Sequence, residues 1–435
     1  MPSAETPVSR ALAERLVAAH FGVCGADLTV SGYPIRDLAQ QFGTPLYIYD
    51  ARIMRRIFHE LRSALEEFAD IHFSIKANPN PEVARVFVRE GAGIEIASAG
   101  EYRAARQAGA EPARILFAGP GKRDEEIDFV VREGIGEIHL ESMEEIRRVA
   151  DAGTRLARTV PVAIRVNPVA AAQGGAMRMG GAASPFGFDE EDIDAVLARV
   201  LAEPALDLRG VHMFAGTQIL DADTLLAQWW HGLDVAARIA AAIGRPLQTI
   251  DLGGGLGIPY HAGDRTLDLD AVRAALPSLV ARQKSEPAIR DARVIVEPGR
   301  FLCGPAGLYV VRVNTAKTSR GKRFLVTDGG MHHHLAASGN LGQVIKRDYP
   351  LVAPARMDAG TDEPCSVVGP LCTPLDTLAR NAQLPPLAAG DLIAVLQSGA
   401  YGLTASPTRF LSHPLPAEIL VDADAAIPLR AIAQS

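Results

Sequence analysis

The sequence predicts an α/β protein in which a (β/α)8 barrel is followed by a second, β-rich C-terminal domain. Two observations support this prediction. From about residue 70 to residue 300, short β-rich runs alternate with amphipathic helical stretches through eight units without a break. After residue 300 the strand-like runs continue without intervening helices. Eight regular strand–helix units favour a closed barrel over an open doubly wound sheet.

The barrel strands are predicted from short apolar runs that each end in polar or glycine residues. They are HFSIKA (72–77), GIEIAS (93–98), RILFAGP (114–120), EIHLES (137–142), VAIRVNP (162–168), GVHMFAG (210–216), TIDLGGG (249–255) and VIVEPG (294–299). Helical stretches such as PEVARVFVREG (81–91) and MEEIRRVADAG (143–153) lie between them, and several end in Gly, a common helix stop.

The same patterns predict the domain boundaries. We expect an N-terminal amphipathic extension at 1–30, strands that join the β domain at 31–50, the barrel at 51–300 and the β-rich domain at 301–435. Within the extension, Leu12, Leu16 and Val17 lie on one face of a predicted helix. The glycine-rich stretch at 171–192 is either a loop over one end of the barrel or a surface insertion.

Composition excludes several classes of protein. The chain has 435 residues, a net charge of −7 and a pI near 5.9, which argues against a nucleic-acid partner. No apolar run is long enough to cross a membrane, and the N-terminus lacks a signal-peptide core. Four separate cysteines without a CxxC pair argue against a disulfide scaffold or a metal site and favour a reducing cytoplasm.

Polar and glycine residues follow the predicted strands, at the end of the barrel where such folds place their active sites. They are Lys76, Glu95, Gly119–Pro120, Glu141, Arg165, Asn167, the run 214–217, Gly253–Gly255, Glu297 and Arg300. Any one of them is ordinarily structural, but the complete ring indicates a functional site.

The ring suits a phosphate-bearing cofactor. Glycines after strand seven let backbone N–H groups approach an anion, and Arg300 and Thr217 add charge and a hydroxyl. Lys76 across the barrel mouth suits a covalent bond to an aldehyde, which indicates pyridoxal phosphate. Glu297 would then keep the pyridine nitrogen protonated. Glu95, Arg165 and Gly299 are further candidates for contact with the cofactor.

From about residue 30 to residue 425, the chain resembles the barrel-type pyridoxal-phosphate decarboxylases, which include ornithine, arginine and diaminopimelate decarboxylases. The resemblance implies that Lys76 of the KAN motif holds the cofactor and that Thr217, Gly253–Gly255 and Arg300 bind its phosphate. It places Glu297 at the pyridine nitrogen and Tyr401 of SGAYG at the phosphate. Similar barrels that racemise amino acids have arginine near that nitrogen, so Glu297 favours decarboxylation.

The segment VGPLCTPLD (368–376) resembles the family's cysteine loop, which a second subunit inserts into the active site. The resemblance therefore implies a homodimer with shared active sites and Cys372 as proton donor. The alternative is that Cys372 is a buried thiol of the β domain.

Three positions depart from the family pattern. Phe214 replaces a histidine that stacks on the cofactor, so it packs on the ring but cannot donate a proton. Thr373 replaces the Asp or Glu that binds the distal ammonium of diamino substrates. The segment 328–343 replaces an arginine–proline motif; if its histidines form a strand, His332 and His334 share a face, and we expect them in substrate or interface packing.

Three segments resemble a narrower branch of the family: DGGMHHHLAASGN (328–340), GPLCTPLD (369–376) and SGAYGLTASPTRFLSHPLPAEILV (398–421). This branch comprises decarboxylases of carrier-protein-bound amino acids and decarboxylases associated with exosortase loci. The sequence therefore predicts decarboxylation of an aminoacyl group on a carrier protein, with decarboxylation of free diaminopimelate, ornithine or lysine as the alternative. A regulator without activity would be expected to lose Lys76 or the phosphate ligands, which are present. The stretch 171–185 would frame the entrance, and the basic stretch 317–323 would meet an acidic carrier or simply be a solvated hairpin.

Overall fold

The computed structural model describes residues 8–168, 177–178, 183–214, 216–341, 343, 346–360, 363–422 and 425–429. The chain divides into two compact units. One, the β unit, takes in the described residues of Met1–Arg56, Pro259–Arg265 and Leu302–Gln434, and the other, the barrel unit, consists of Ile57–Ile258 and Thr266–Phe301.

The β unit begins with an amphipathic helix and a small sheet. Its first elements are α1 (Val8–His20), β1 (Gly22–Cys24), β2 (Asp27–Val30), β3 (Tyr33–Pro34), α2 (Ile35–Phe42) and β4 (Leu46–Asp50), and α3 (Ala51–Leu65) follows. Leu12, Leu16 and Val17 of α1 are buried in one apolar core with residues of β4, which confirms the predicted face of that helix.

The barrel unit contains eleven strands and most of the helices. The strands are β5 (Asp70–Ser74), β6 (Gly93–Ile96), β7 (Ile115–Phe117), β8 (Glu137–Leu140), β9 (Val160–Asn167), β10 (Met177–Arg178), β11 (Phe188–Asp189), β12 (Leu206–Met213), β13 (Gly216–Thr217), β14 (Thr249–Asp251) and β15 (Arg293–Val296). The helices are α4 (Pro81–Arg89), α5 (Ala99–Gln107), α6 (Asp124–Glu133), α7 (Met143–Arg155), α8 (Ile193–Leu201), α9 (Ala222–Ile243), α10 (Leu269–Ser285) and α11 (Arg300–Cys303), the last of which runs into the β unit.

Eight parallel strands close this unit into a barrel. The hydrogen-bonded order is β9–β12–β14–β15–β5–β6–β7–β8, and β8 pairs with β9 to complete the ring. Each closing strand corresponds to one of the eight predicted runs, so the barrel prediction is confirmed. Helices follow the strands as predicted. Three of them begin at an N-cap side chain, Asn80, Ser98 or Ser142, which accepts a backbone N–H of the first helical turn.

A second sheet forms the β unit and joins the two ends of the chain. Its later strands are β16 (Gly307–Ser319), β17 (Lys322–Thr327), β18 (Leu351–Val352), β19 (Glu363–Val368), β20 (Thr377–Leu384), β21 (Leu392–Val395), β22 (Ala417–Asp422) and β23 (Ala425–Pro428). β4 lies between β16, to which it is antiparallel, and β22, to which it is parallel. β4, which precedes the barrel in the chain, is thus a strand of this sheet.

Three further observations bear on the sequence predictions. Of the glycine-rich stretch 171–192, residues 171–176 and 179–182 lie outside the described part, while β10 pairs with β13. No disulfide joins any two of the four cysteines, all of which lie in the described part of the chain. Among the described residues, no helix has the length and apolar character that a membrane span requires.

Candidate active site

Lys76 lies immediately after the first barrel strand. The chain leaves β5 in a single 3-10 turn, Ile75–Ala77, which carries the lysine at its centre. Its Nζ lies 3.1 Å and 3.0 Å from the two carboxylate oxygens of Glu95, and its side chain is 46% exposed. The two neighbours in the turn are fully buried, so the backbone is anchored while the amine remains accessible.

Glu95, at the end of β6, is the fixed partner of this lysine. It is 1% exposed and accepts a 2.5 Å hydrogen bond from the Ser74 hydroxyl. Nearby, Glu101 accepts the Ala97 backbone N–H at 2.6 Å, and burial raises the pKa of Glu101 to about 7. Lys76 is therefore oriented by a buried carboxylate that is itself held by the Ser74 hydroxyl of the neighbouring strand β5.

A glycine loop follows β14 and contacts the residue after β15. Gly253 and Gly255 have φ of 69° and 93°, a backbone conformation that favours glycine. A Cβ on Gly254 would lie 2.3 Å from the carbonyl oxygen of Glu297. The Glu297 backbone N–H in turn donates to the Gly253 carbonyl at 2.8 Å, so the loop and Glu297 form one rigid arrangement.

These features fit pyridoxal phosphate. The loop has no side chains to obstruct the approach of an anion to its backbone. Glu297 is a carboxylate only 5% exposed, and its Oε1 has no hydrogen-bond donor among the described residues. The amine of Lys76 is accessible. The chain thus provides an amine, a buried carboxylate and a phosphate-sized backbone cradle in one unit.

The other candidates in the barrel unit lie at the same strand ends. Thr217 lies in β13, Arg300 begins α11, and a Cβ on Gly299 would lie 2.9 Å from the Ser74 carbonyl oxygen, close to the lysine turn. The Phe214 ring packs on the glycine loop, because a Cβ on Gly253 would lie 3.1 Å from that ring. Phe214 therefore supplies an apolar aromatic face beside the cradle.

Arg165 forms the buried ion pair of the mouth. Its Nη1 donates to Glu141 Oε1 at 2.7 Å, and its guanidinium lies 5.0 Å from the Phe186 ring centroid. Burial would raise the pKa of Glu141, but the charges of Arg165 and Lys122 outweigh burial and lower it. Glu141 also accepts backbone N–H groups, including that of Gly187 at 3.3 Å. Arg165 is therefore engaged with the protein and shapes the wall of the site.

The cysteine loop belongs to the β unit. Cys372 is exposed, and the loop around it is organised by Asp376, which accepts the backbone N–H groups of Met331 at 2.6 Å and Leu371 at 2.9 Å. Thr373 accepts the Leu375 N–H at 3.3 Å. Asp376 is 2% exposed. The alternative that Cys372 is a buried thiol is wrong.

The histidine run adopts a turn, so the assumption that it forms an extended strand is wrong. The N–H groups of His333 and His334 both donate to the Gly330 carbonyl at 3.0 Å. His332 and His334 are fully buried, and His334 Nε2 lies 3.1 Å from Ser398 Oγ. Burial lowers the pKa of His332 to about 4 and that of His334 to about 3, so both are neutral near pH 7. A role in substrate binding stays a prediction.

Tyr401 lies in the same unit, with φ of 52°, a left-handed conformation that is uncommon outside glycine. The next residue, Gly402, leaves room for Tyr47, whose hydroxyl would lie 2.8 Å from a Cβ at that position. Such strain at a non-glycine residue is frequent at functional sites. The tyrosine therefore has a fixed backbone position, and its contact with phosphate stays a prediction.

Sequence analysis missed a polar cluster in the barrel interior, formed by His139, His212 and Asp251 with Glu297. One nitrogen or oxygen of each lies within 4.8 Å of the others, and all four are buried. A signal was present, because polar residues occupy inward positions of otherwise apolar strands, as His139 does in EIHL.

Comparison with known proteins agrees with this geometry. Residues 51–304 match the family model described as pyridoxal-dependent decarboxylase, pyridoxal binding domain. The chain is 38% identical over 389 residues to the decarboxylase of L-glutamyl-BtrI acyl-carrier protein from Niallia circulans, covering 89% of this chain and 90% of that protein. It is 32% identical over 400 residues to a diaminopimelate decarboxylase from Methanothermobacter thermautotrophicus, covering 91% and 90%.

Solved structures show the same architecture. The crystal structure of diaminopimelate decarboxylase from Helicobacter pylori complexed with L-lysine matches with a TM-score of 0.81 and 26% identity, over 92% of this chain and 97% of that one. Because a family model covers more than half of the chain and the relatives match along nearly all of it, the expected cofactor and reaction class are confirmed. The chain belongs to the pyridoxal-dependent decarboxylases, and it is a pyridoxal-phosphate-dependent carboxy-lyase that acts on an amino-acid substrate.

Proposed function

We propose that this enzyme decarboxylates an aminoacyl group tethered to a carrier protein. The observation that carries the proposal is the composition of the cysteine loop. Thr373 follows the cysteine, and its hydroxyl accepts a backbone N–H of the loop. Asp376 is buried and accepts two further backbone N–H groups. The loop therefore offers no available carboxylate to a substrate ammonium.

The lack of an available carboxylate matters because a free diamino acid carries a second, distal ammonium group. An ammonium removed from water without a partner costs several kcal/mol, so a site for ornithine, lysine or diaminopimelate needs an acidic group. An aminoacyl group joined to a carrier has no free carboxylate or ammonium at the point of attachment. The relative from Niallia circulans, whose substrate is a glutamyl carrier protein, supports the same conclusion.

In the barrel unit we assign roles from the contacts. Lys76 would hold the cofactor covalently through its Nζ, and Glu95, 3.0 Å away, orients that amine. The backbone N–H groups of Gly253–Gly255, with Thr217 and Arg300, would bind the phosphate, and Glu297 would accept a hydrogen bond from the protonated ring nitrogen. When bound, pyridoxal phosphate supplies a conjugated ring that takes up the electron pair left by the departing carboxylate.

We also propose that the enzyme is a homodimer in which Cys372 of one protomer serves the barrel of its partner. The thiol is exposed in its own unit and can transfer a proton from Sγ to the substrate carbon after CO2 has left. Phe214 lacks an ionisable group, so it can only orient the cofactor ring. Tyr401 is assigned to the phosphate, and four cysteines without a disulfide fit the reducing cytoplasm that we propose as the compartment.

A basic hairpin is the candidate contact for the carrier protein. Lys317, Arg320 and Lys322 at the β16–β17 turn are exposed, and none forms an ion pair with another described residue. Carrier proteins are generally acidic, so opposite charge would speed the encounter. Replacing all three with Glu should raise KM for the loaded carrier while leaving turnover of a small aminoacyl thioester unchanged. An unchanged KM would remove the hairpin from the proposal.

Decarboxylation of a free amino acid is the second candidate. Seven of the relatives are diaminopimelate decarboxylases at 30–32% identity, and they match about nine-tenths of the chain. If this candidate is right, an acidic group other than those of the cysteine loop must bind the distal ammonium. The two candidates therefore differ in the substrate that is turned over efficiently.

The deciding experiment measures CO2 release from matched substrates. Glutamyl-loaded carrier protein is compared with free L-glutamate, diaminopimelate, L-ornithine and L-lysine at equal concentration. We expect kcat/KM for the loaded carrier to exceed that for diaminopimelate, L-ornithine and L-lysine by about 100-fold or more, because the unpaired distal ammonium of these acids costs several kcal/mol. Equal or better turnover of diaminopimelate would overturn the carrier proposal and establish the second candidate.

A further inference from the structure

The barrel interior holds a buried polar group that the proposed reaction does not use. Asp251 at the end of β14 is fully buried, and its Oδ1 accepts the Gly253 backbone N–H at 2.8 Å. Its Oδ2 has no hydrogen-bond donor among the described residues, and neither has Oε1 of Glu297. The carboxyl groups of Asp251 and Glu297 lie within the same 4.8 Å cluster. Two buried carboxyl groups thus lie in one cluster, and one oxygen of each has no donor among the described residues.

No described basic group neutralises this pair. His212 Nε2 lies 3.4 Å from Glu297 Oε2, but burial lowers the pKa of His212 well below its usual range. His139 Nε2 lies 3.9 Å from Asp251 Oδ2 and closer, at 3.3 Å, to Glu137, which is a third buried carboxyl group. Two ionised carboxylates at this distance in a low-dielectric interior would repel strongly.

We propose that Asp251 is a neutral carboxylic acid in the folded protein and that its Oδ2–H donates to Glu297. The pair then carries one proton and one negative charge, which resides on Glu297. A carboxylate accepts up to four hydrogen bonds, so Glu297 keeps acceptor positions for the cofactor nitrogen. Asp251 is thus a positioning residue that acts through Glu297.

Burial supports this protonation state. The low-dielectric surroundings and the negative charge of Glu297 raise the pKa of Asp251 well above its usual range, while the Gly253 N–H only partly opposes the shift. The remaining charged neighbour, Glu137, raises the pKa of Asp251 further. Thr249 Oγ donates to Glu137 at 2.6 Å, so that carboxyl group has its own donor.

Asp251 also joins the two ends of the cofactor site. Its Oδ1 fixes the N–H of Gly253, whose carbonyl accepts the Glu297 backbone N–H at 2.8 Å. The neutral carboxyl group therefore holds the phosphate loop with one oxygen and the nitrogen-binding carboxylate with the other. Pre-positioning of both ends lowers the cost of ordering the site when the cofactor binds.

A bound metal ion is the competing explanation for the cluster. Two histidines and two carboxylates are a donor set that zinc accepts. A metal would require both carboxyl groups to be ionised, so it leaves no proton for Asp251 to donate. The two explanations therefore make opposite predictions for the replacement of Asp251 with asparagine.

The test compares Asp251→Asn with Asp251→Leu. Asparagine has the hydrogen-bonding capacity of a neutral aspartic acid, with one oxygen to accept from Gly253 and one N–H to donate to Glu297. We expect Asp251→Asn to bind pyridoxal phosphate within about threefold of the unmodified chain in an equilibrium titration. Asp251→Leu, which removes both hydrogen bonds, should bind about tenfold or more weakly.

Infrared spectroscopy measures the proton directly. In the full-length holoenzyme at pH 8 with 13C-labelled aspartate, a protonated carboxyl C=O band should shift with the label and with transfer to D2O. The aspartate component should decrease in Asp251→Asn. The proposal is overturned if no such aspartic-acid band exists, if asparagine weakens cofactor binding as much as leucine does, or if the protein holds one equivalent of metal that the asparagine variant loses. None of these measurements depends on the carrier-protein substrate.

Discussion

Lys76 Nζ lies within 3.1 Å of both carboxylate oxygens of Glu95, although the lysine side chain is 46% exposed and the glutamate side chain only 1%. The Glu95 carboxylate is fixed by the Ser74 hydroxyl, whereas the Lys76 side chain is partly exposed to solvent. A lysine that is merely solvated before a turn would not be paired with a buried carboxylate. The ion pair with Glu95 therefore distinguishes Lys76 from a lysine exposed on the surface.

Replacing Lys76 with Ala should abolish covalent attachment of the cofactor. The phosphate ligands are separate residues, so we expect the variant to fold and to bind pyridoxal phosphate reversibly. Borohydride reduction followed by intact-protein mass spectrometry should show the cofactor mass on the unmodified chain and not on the variant. Lys284→Ala, which removes another lysine that bonds only a backbone carbonyl among the described residues, is the control and should keep the adduct. A persistent adduct in Lys76→Ala would refute the assignment.

Replacing Gly254 with Ala should weaken cofactor binding about tenfold or more, because its Cβ would lie 2.3 Å from the backbone of Glu297. The clash must move either the glycine loop or Glu297, and both are assigned to the cofactor. Equilibrium titration with pyridoxal phosphate measures the effect. Gly360→Ala is the matched control, since nothing lies within 4 Å of a Cβ there. Equal affinity of the two variants would show that the loop does not bind the cofactor.

The sequence predicted the barrel well because its strands are buried on both faces. Runs such as GIEI and EIHL are apolar or buried throughout, and helices with side-chain caps separate them. β20 was missed, because TLARNAQL places Arg380 and Asn381 in mid-strand and breaks the apolar run. Its residues are buried or half-buried apart from the exposed Asn381, and the strand is defined by its antiparallel pairing with β19.

The site was predictable only where a strand end carries the functional residue. Lys76 and Glu297 follow strands directly, so position along the chain was enough. The role of Asp376 was not predictable, because it bonds Met331, 45 residues away in the sequence. The histidine run was given the periodicity of a strand, whereas its fold depends on two bonds to the Gly330 carbonyl. Contacts between segments that are distant along the chain leave no recognisable pattern in the local sequence of either segment.

Glu101 should make the stability of the protein depend on pH. Its pKa is raised from 4.5 to about 7, so the folded state holds the proton more tightly than the unfolded state does. The stabilisation is complete below pH 4.5 and is lost as the pH rises through 7. Glu101→Gln keeps an oxygen for the Ala97 N–H and cannot ionise. Relative to the unmodified chain, it should gain about 1–2 kcal/mol between pH 5 and pH 8, after allowance for its partial exposure.

Thermal or denaturant unfolding at pH 5 and pH 8 measures this change. The exposed Glu111→Gln is the control, and its effect on stability should be the same at both values. A stability difference for Glu101→Gln that does not grow with pH would show that Glu101 is ionised in the folded protein throughout this range.

Mixing two inactive variants should restore activity if the proposed dimer shares its active sites. Lys76→Ala retains Cys372, and Cys372→Ala retains Lys76, so a mixed dimer has one site with both groups. With random exchange, half of the dimers are mixed and each has one complete site, so we expect about a quarter of the unmodified activity. Cys24→Ala, the other exposed thiol, should remain active alone and serves as the control for loss of a thiol. Exchange is confirmed by native mass spectrometry with one variant isotopically labelled. Demonstrated exchange without recovered activity would mean that Cys372 acts within its own chain, because each mixed dimer would then still lack one group at both sites.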